Sequence, residues 1–282
     1  MRDMISYFNG NFIPKEEIKI SPDDRGFVFG DGVYEVVRTY QGKPFRMDEH
    51  LRRLERSLRE IRIAGVDIET LNQVAEDLLK QNGLGAKDAT IYIQITRGAA
   101  PRKHAFPEQA TPPTVYLTTS PLNSSYQRTD TGVKVILVPD NRWARCDIKS
   151  VALLPNVLAN QQAAEQGAEE AVFVRDGVIT EGSHSNFCAI FDGEMVTHPR
   201  SNYILGGVTR QVVLQLCGEL GIPVREFPVF QKDVKQADEL FLSGTTTEVL
   251  PIIQMDEWIV GDGKPGPITR KLQKAFREFV SR

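Results

Sequence analysis

Two side chains in the second half of this 282-residue chain are of types that can share one reaction. Lys149 lies in the run Arg142-Trp143-Ala144-Arg145-Cys146-Asp147-Ile148-Lys149-Ser150, and Glu181 lies in Thr180-Glu181-Gly182-Ser183-His184-Ser185-Asn186. A lysine amine captures an aldehyde as a Schiff base, and a glutamate keeps a heterocyclic ring nitrogen protonated. Brought onto one small aromatic ring, the two would make that ring an electron sink. Each also has an ordinary alternative. Most lysines are solvated and inert, and a carboxylate at a strand end is as often a turn or a cap.

Four further groups have chemistry in reach. Gly206-Gly207-Val208-Thr209 sits where a loop becomes a helix. Glycines admit close backbone approach there, and the first helical N–H groups and the helix dipole favour an anion such as phosphate. A plain glycine hinge explains the same residues. Gly244-Thr245-Thr246-Thr247 offers hydroxyls at a second loop or simply ends a strand, and Arg53 is either a bidentate anion ligand or a solvated helix arginine. In Pro101-Arg102-Lys103-His104-Ala105-Phe106-Pro107, Arg102 and His104 are two residues apart, so an extended backbone points both to one side. That pair is a carboxylate clamp or an exposed basic loop.

Composition narrows the field. The formal charge is −3, from 34 basic and 37 acidic residues without a basic block, which argues against a nucleic-acid partner. Cys146, Cys188 and Cys217 have no metal-type spacing and read as reduced thiols, so no metal site is expected. The first residues lack the apolar run of a secretory signal, and no stretch is long enough to span a bilayer. A cytoplasmic protein without a membrane partner is expected.

The elements that must hold these groups follow from periodicity and turn residues. Asn9-Gly10 turns a hairpin between Ile5–Phe8 and a return from Asn11. Residues 23–32 read as a glycine-punctuated loop that leads into a strand over Val33–Tyr40. Asp48 is expected to cap a helix bearing Leu51, Leu54, Leu58 and Ile61, and a second helix runs from Glu69 to about Gln81. Ala89–Thr96 and Thr114–Thr119 read as strands. The polar, aperiodic stretch after Ser120 suggests a boundary, with a smaller α+β domain over 1–120, a linker over 121–131 and a larger domain over 132–282. In the latter, Val133–Val138 reads as a buried strand and Val151–Gln166 as a helix. Asp176-Gly177 and Asp192-Gly193 turn hairpins, a helix ends near Leu220, Glu239–Ser243 is a strand, and a last helix starts near Gly266.

In this order the motifs resemble the fold-type IV family of pyridoxal-phosphate enzymes, which contains branched-chain aminotransferases, D-amino acid aminotransferases and aminodeoxychorismate lyases. The segments that carry the resemblance are Asp24-Arg25-Gly26, Phe29 to Val36, Glu49-His50 with Arg53-Leu54, Thr96-Arg97-Gly98 with Pro101-Arg102 and His104, Arg145 to Ser150, Thr180 to Ser183, Thr209-Arg210, and Thr245-Thr246 before Glu248. They run nearly end to end and look most like the D-amino acid branch. The resemblance implies a two-domain α+β fold with the pyridoxal 5'-phosphate site between the domains. Lys149 would form the Schiff base and shuttle a proton, and Glu181 would pair with the pyridine nitrogen. Arg53, Val208, Thr209 and Thr245 would hold the phosphate, and Leu205 would pack on the ring. Tyr34, Arg102 and His104 would bind the substrate carboxylate, with Arg102 and His104 supplied by the partner of a homodimer. The implied activity is ping-pong transamination between D-amino acids of the alanine or glutamate type and 2-oxo acids. L-branched-chain amino acid transamination is the alternative, since it shares Lys149, Glu181 and the phosphate residues. A lyase acting on aminodeoxychorismate and a catalytically silent pyridoxal-phosphate-binding protein stand behind it. His184 and Gly244 each stand where similar chains have serine, and Arg38 where they have lysine, which leaves substrate breadth open.

Overall fold

Asn9 and Gly10 both take left-handed backbone conformations (φ 46° and 93°), the geometry a two-residue hairpin turn demands. They join β1 (Ile5–Phe8) to β2 (Asn11–Pro14). The computed structural model describes residues 4–108, 111–122 and 127–281. The chain divides into two units, Met1–Ser124 with Ile148–Ala152, and Ser125–Asp147 with Leu153–Arg282.

The first unit contains α1 (Arg25–Phe29), β3 (Gly32–Tyr40), β4 (Lys43–Pro44), α2 (Met47–Glu60), α3 (Ile68–Gln81), β5 (Ala89–Thr96) and β6 (Thr114–Pro121). Its strands form one antiparallel sheet in the order β2-β1-β6-β5-β3-β4. Alternation sends Ile91, Ile93 and Ile95 of β5 and Val33 and Val37 of β3 to one face, where Leu51, Leu54 and Leu58 of α2 and Leu71, Ala75 and Leu78 of α3 cover them. Ile148 joins this core, because Ile148–Val151 runs along β3: Lys149 O accepts from Tyr34 N and Val151 N donates to Gly32 O.

The second unit contains α4 (Gln127–Thr131), β7 (Val133–Pro139), α5 (Leu154–Glu165), β8 (Glu170–Arg175), β9 (Val178–Gly182), β10 (Asn186–Phe191), β11 (Glu194–Thr197), α6 (Val208–Leu220), β12 (Val224–Glu226), β13 (Val229–Phe230), β14 (Glu239–Gly244), β15 (Glu248–Met255), β16 (Trp258–Ile259) and α7 (Pro267–Val280). Its mixed sheet runs β12-β11-β10-β14-β15-β7-β8-β9-β13, with β16 beside β15. One further pairing, Asn186 to Glu181, ties β9 back to β10 and closes a ring of strands. Val135, Val172, Phe187, Leu240 and Leu250 lie in its core.

Four expectations need adjustment. Residues 25–29 of the expected loop form α1, capped by Asp24, whose side chain accepts from Gly26 N; five residues are too few to show helical periodicity. Asp48 does not cap α2. The cap is Arg46 in a left-handed conformation, and Asp48 and Glu49 sit in the first turn, where they complement the helix dipole. The helix expected from Val151 starts at Leu154, because Ile148–Ala152 is committed to β3 and groups with the first unit rather than with the domain expected over 132–282. Within the expected linker, residues 127–131 are helical and 123–126 lie outside the described residues.

Leu54 is fully buried between α2 and the sheet. Leu54→Ala is expected to lower unfolding free energy by about 2–5 kcal/mol in urea titration. A loss below about 1 kcal/mol would mean that this core is loosely packed.

Candidate functional site

In the first unit, strand alternation decides where each group points. Ile148 and Ser150 are buried while Lys149 between them is half-buried, and its Nζ lies 4.3 Å from the centroid of the Tyr34 ring. Its backbone N–H reaches Ser57 Oγ on α2 at 3.4 Å. The lysine is thus fixed at its root by β3 and α2, and its amine stands over an aromatic face.

Glu35 occupies the opposite, core-facing side of β3 and is fully buried. A carboxylate there requires partners. Arg53 of α2 supplies two bonds, Nε to Oε1 at 2.7 Å and Nη2 to Oε2 at 2.8 Å, and His50 Nδ1 meets Oε2 at 2.7 Å. Burial pushes the Glu35 carboxyl up, but Arg53 and then His50 outweigh it and hold it down at about 2. Burial pushes His50 below the usual histidine range despite Glu35, so a neutral ring donating from Nδ1 fits the Glu35 carboxylate. Arg53 is therefore an oriented guanidinium rather than a solvated one, and the signal was Glu35 at an inward position between Val33 and Val37.

Arg102 and His104 are exposed, and both rest on one ring: the Arg102 guanidinium is 5.3 Å and the His104 ring 5.4 Å from the Phe29 centroid. Arg25 ties their loop to α1 by donating to Lys103 O at 2.6 Å, and Arg97 stacks on Phe106 at 3.8 Å. Both arginines hold Asp31, which burial pushes up and which Arg97 and Arg25 bring below the usual carboxylate range. Arg38 lies near Asp88 and over the Tyr40 ring.

In the second unit, Glu181 sits at the pair that closes the sheet. Its Oε2 accepts from Leu205 N at 2.9 Å and Asn186 Nδ2 at 3.1 Å, and its Oε1 accepts from Arg142 Nη1 at 2.6 Å. Arg142 and Asn186 were not singled out from the sequence. Asn186 also donates to Leu205 O, and a Cβ on Gly207 would lie 2.0 Å from Asn186 Oδ1, so only glycine passes there. Directly beyond, α6 begins at Val208 and Thr209 with no side-chain cap. Its first N–H groups and the Thr209 hydroxyl therefore form a donor set that suits a phosphate.

Thr245 lies in the turn after β14, whose Gly244 approaches Ser185. Beneath this strap is Glu170, fully buried, which accepts from His184 N at 2.8 Å and from Ser185 Oγ at 2.9 Å. Burial raises its carboxyl. The half-exposed His184 ring has Nδ1 3.4 Å from Glu170, so that histidine answers to a carboxylate behind the strap. Burial pushes the thiols of Cys146 and Cys188 up to about 11 and that of Cys217 to about 12, so they stay protonated. Among the described residues no cluster of His, Cys, Asp and Glu could hold a metal ion, and no helix is long and apolar enough to cross a membrane.

Comparison with known proteins adds a family. The model described as amino-transferase class IV matches residues 32–255. A D-alanine aminotransferase of Staphylococcus haemolyticus is 43% identical over 275 residues, 97% of each chain. One of Bacillus licheniformis is 41% identical over 276 residues, 97% of this chain and 96% of its own. Among solved structures, the branched-chain amino acid aminotransferase of Escherichia coli matches with a TM-score of 0.90 at 28% identity, covering 99% of this chain and 95% of its own. That of Thermobaculum terrenum in its PLP holo-form matches with a TM-score of 0.86 at 28% identity, covering 99% and 94%.

The Glu35 cluster has a pH signature. Its carboxyl is depressed in the fold, so its stabilisation is complete above the ordinary value of 4.5 and is lost as pH falls toward about 2. Glu35→Gln is expected to cost about 3 kcal/mol at pH 7 by urea titration, with the gap to wild type narrowing below about pH 4. A gap that stays constant into acid would show that Glu35 is not the ionised partner.

Proposed function

The chain belongs to the class IV aminotransferases, which depend on pyridoxal 5'-phosphate, and on that footing we propose that it moves amino groups between D-amino acids and 2-oxo acids. The observation that carries the D-specific reading is the joint presentation of Arg102 and His104 on Phe29. Both donor groups are held on one ring, which supports a shared carboxylate clamp. The relatives named as D-alanine aminotransferases support the same reading. The branched-chain enzymes share the fold at lower identity, so the fold alone does not separate the two substrates.

The residues divide the work. When bound, pyridoxal phosphate supplies an aldehyde that a primary amine captures and a ring that accepts electron density from the substrate carbon. Lys149 would hold the aldehyde through its amine and, when that amine is free, would move the proton at the substrate Cα. Glu181 would accept the ring N–H, and Arg142, Asn186 and Leu205 N fix its oxygens for that task. Arg53, the Val208 and Thr209 N–H groups and the hydroxyls of Thr209 and Thr245 would hold the phosphate, and Leu205 would pack on the ring. Tyr34 joins Arg102 and His104 around the substrate carboxylate and thereby sets which hydrogen faces Lys149. The loop bearing Arg102 and His104 serves the partner of a homodimer. The exposed strip of Leu154, Val157 and Leu158 on α5 supports such a pairing. The protein acts in the cytoplasm.

Lys149→Ala is expected to abolish the visible absorption of lysine-linked cofactor and lower turnover on the order of a thousandfold or more. Normal transamination by that variant would sink the assignment. Arg102→Ala is expected to raise KM for the amino acid roughly tenfold or more while cofactor stays bound. Loss of cofactor instead would give Arg102 another task. Half-reactions with single enantiomers of alanine, glutamate and leucine test chirality through the cofactor's spectrum, and faster bleaching by L-enantiomers would overturn the D-specific reading.

A further inference from the structure

Glu181 is the end of a row of alternating charges. Arg142 donates to it from Nη1, and the rest of that guanidinium is taken up by Asp140, with Nε to Oδ1 and Nη2 to Oδ2 both at 2.9 Å. Asp140 in turn meets Arg175, whose Nη2 lies 3.1 Å from Oδ1. Arg175 also donates to Arg142 O at 2.9 Å and stacks on Tyr203 at 4.6 Å. Arg142 lies over the Phe173 ring at 4.2 Å and donates to Tyr203 O at 3.3 Å. The side chains of Asp140, Arg142 and Glu181 are 0%, 5% and 6% exposed.

So much burial makes each ionisation depend on its neighbour. A buried carboxylate without a cation takes up a proton, and a buried arginine without an anion is strongly destabilising. Glu181 must remain an anion if it is to hold a proton on a ring nitrogen. Leu205 N and Asn186 Nδ2, which also donate to it, are neutral groups. The adjacent titratable group, Cys146, is pushed up to about 11 by burial and stays neutral. Arg142 is held more firmly protonated than an ordinary arginine: burial opposes its charge, and Asp140 and Glu181 outweigh the burial.

We propose that Arg142, anchored by Asp140, is a positioning residue that keeps Glu181 ionised and aimed, and so sets how firmly the cofactor's ring nitrogen holds its proton. This rests on the assignment of Glu181 to that nitrogen. Arg142 touches neither substrate nor reacting atoms in this role; it acts through Glu181. Arg175 closes the row so that four charges sum to zero before any ligand enters.

The test is a pH titration of the bound cofactor's absorption in holoenzyme, with the melting temperature of cofactor-free protein measured alongside. In R142M the ring loses its positive charge more readily, so the proton on the lysine-linked nitrogen is repelled less and the absorption midpoint moves to higher pH by roughly one unit or more. Turnover falls roughly tenfold or more while KM for the amino acid changes less than about threefold. R142K restores part of the shift. R142M/E181Q has the spectrum of E181Q alone, because the arginine has no other route to the ring. In D140N, which keeps both partners of the pair, the midpoint moves the same way by less. A wild-type midpoint and turnover in R142M, with or without a lower melting temperature, overturns the proposal. So does an unmoved D140N, or shifts that add in the double variant. The functional reading is checked separately by borohydride reduction. If it fixes no cofactor to Lys149 in wild type, that reading falls and this inference with it; if it does and R142M is unchanged, only the inference falls.

Discussion

A carboxylate fixed at the closure of a ring of strands sets the terms for most of the second unit. Glu181 pairs in register with Asn186, the one bridge that ties β9 to β10. That position removes it from water, and removal from water demands compensating charge. Arg142 meets the demand from 39 residues away, Asp140 meets the demand of Arg142, and Asn186 orients the remaining oxygen. Even the glycine at 207 follows, since the amide of Asn186 occupies the space a side chain would need. The glycine before α6 and the aim of Glu181 are thus consequences of one packing arrangement.

The first unit solves a related problem with the signs exchanged. There a fully buried glutamate, Glu35, orients an arginine; in the second unit a buried arginine orients a glutamate. In both, a bidentate arginine–carboxylate pair fixes a direction as well as a charge. The pair is Arg53 on Glu35 in the first unit; in the second it is Asp140 on Arg142, which then meets Glu181 through Nη1. The outer member, Arg53 or Glu181, then presents its remaining capacity in a defined direction. Flexible lysines in place of these arginines would hold the charge and lose the aim.

Local signals carried much of the fold. Asn9-Gly10, Asp176-Gly177 and Asp192-Gly193 turn hairpins because each pair tolerates left-handed backbone, and three-four spacing of leucines marks α2. What escaped was set by distance. A lone Glu35 in a strand, Asp140 at a strand end or Arg142 in an aperiodic loop gives no clue to its partner until sheet and helix bring the two together. Asp48 before a leucine stripe has the chemistry of a cap, yet Arg46 turns the chain first. Of the candidate site, Lys149, Glu181 and the glycines before α6 were visible as residue types, and family resemblance supplied their roles. The groups that orient Arg53 (Glu35 and His50) and Glu181 (Asp140, Arg142 and Asn186) find their partners only in the fold.

The short passage Ile148–Ala152 has a consequence for inheritance. It lies in the second half of the chain but hydrogen-bonds along β3 and packs Ile148 into the first unit's core. A recombination event that exchanged everything before residue 125 would therefore separate the lysine from the strand and helix that root it. Shuffled genes in this family would inherit a rooted lysine only if five residues travelled with a distant block, or if both parents already agreed on β3. The two units are interleaved along the gene, so novelty around this lysine is expected to arise by point substitution rather than by exchange of halves.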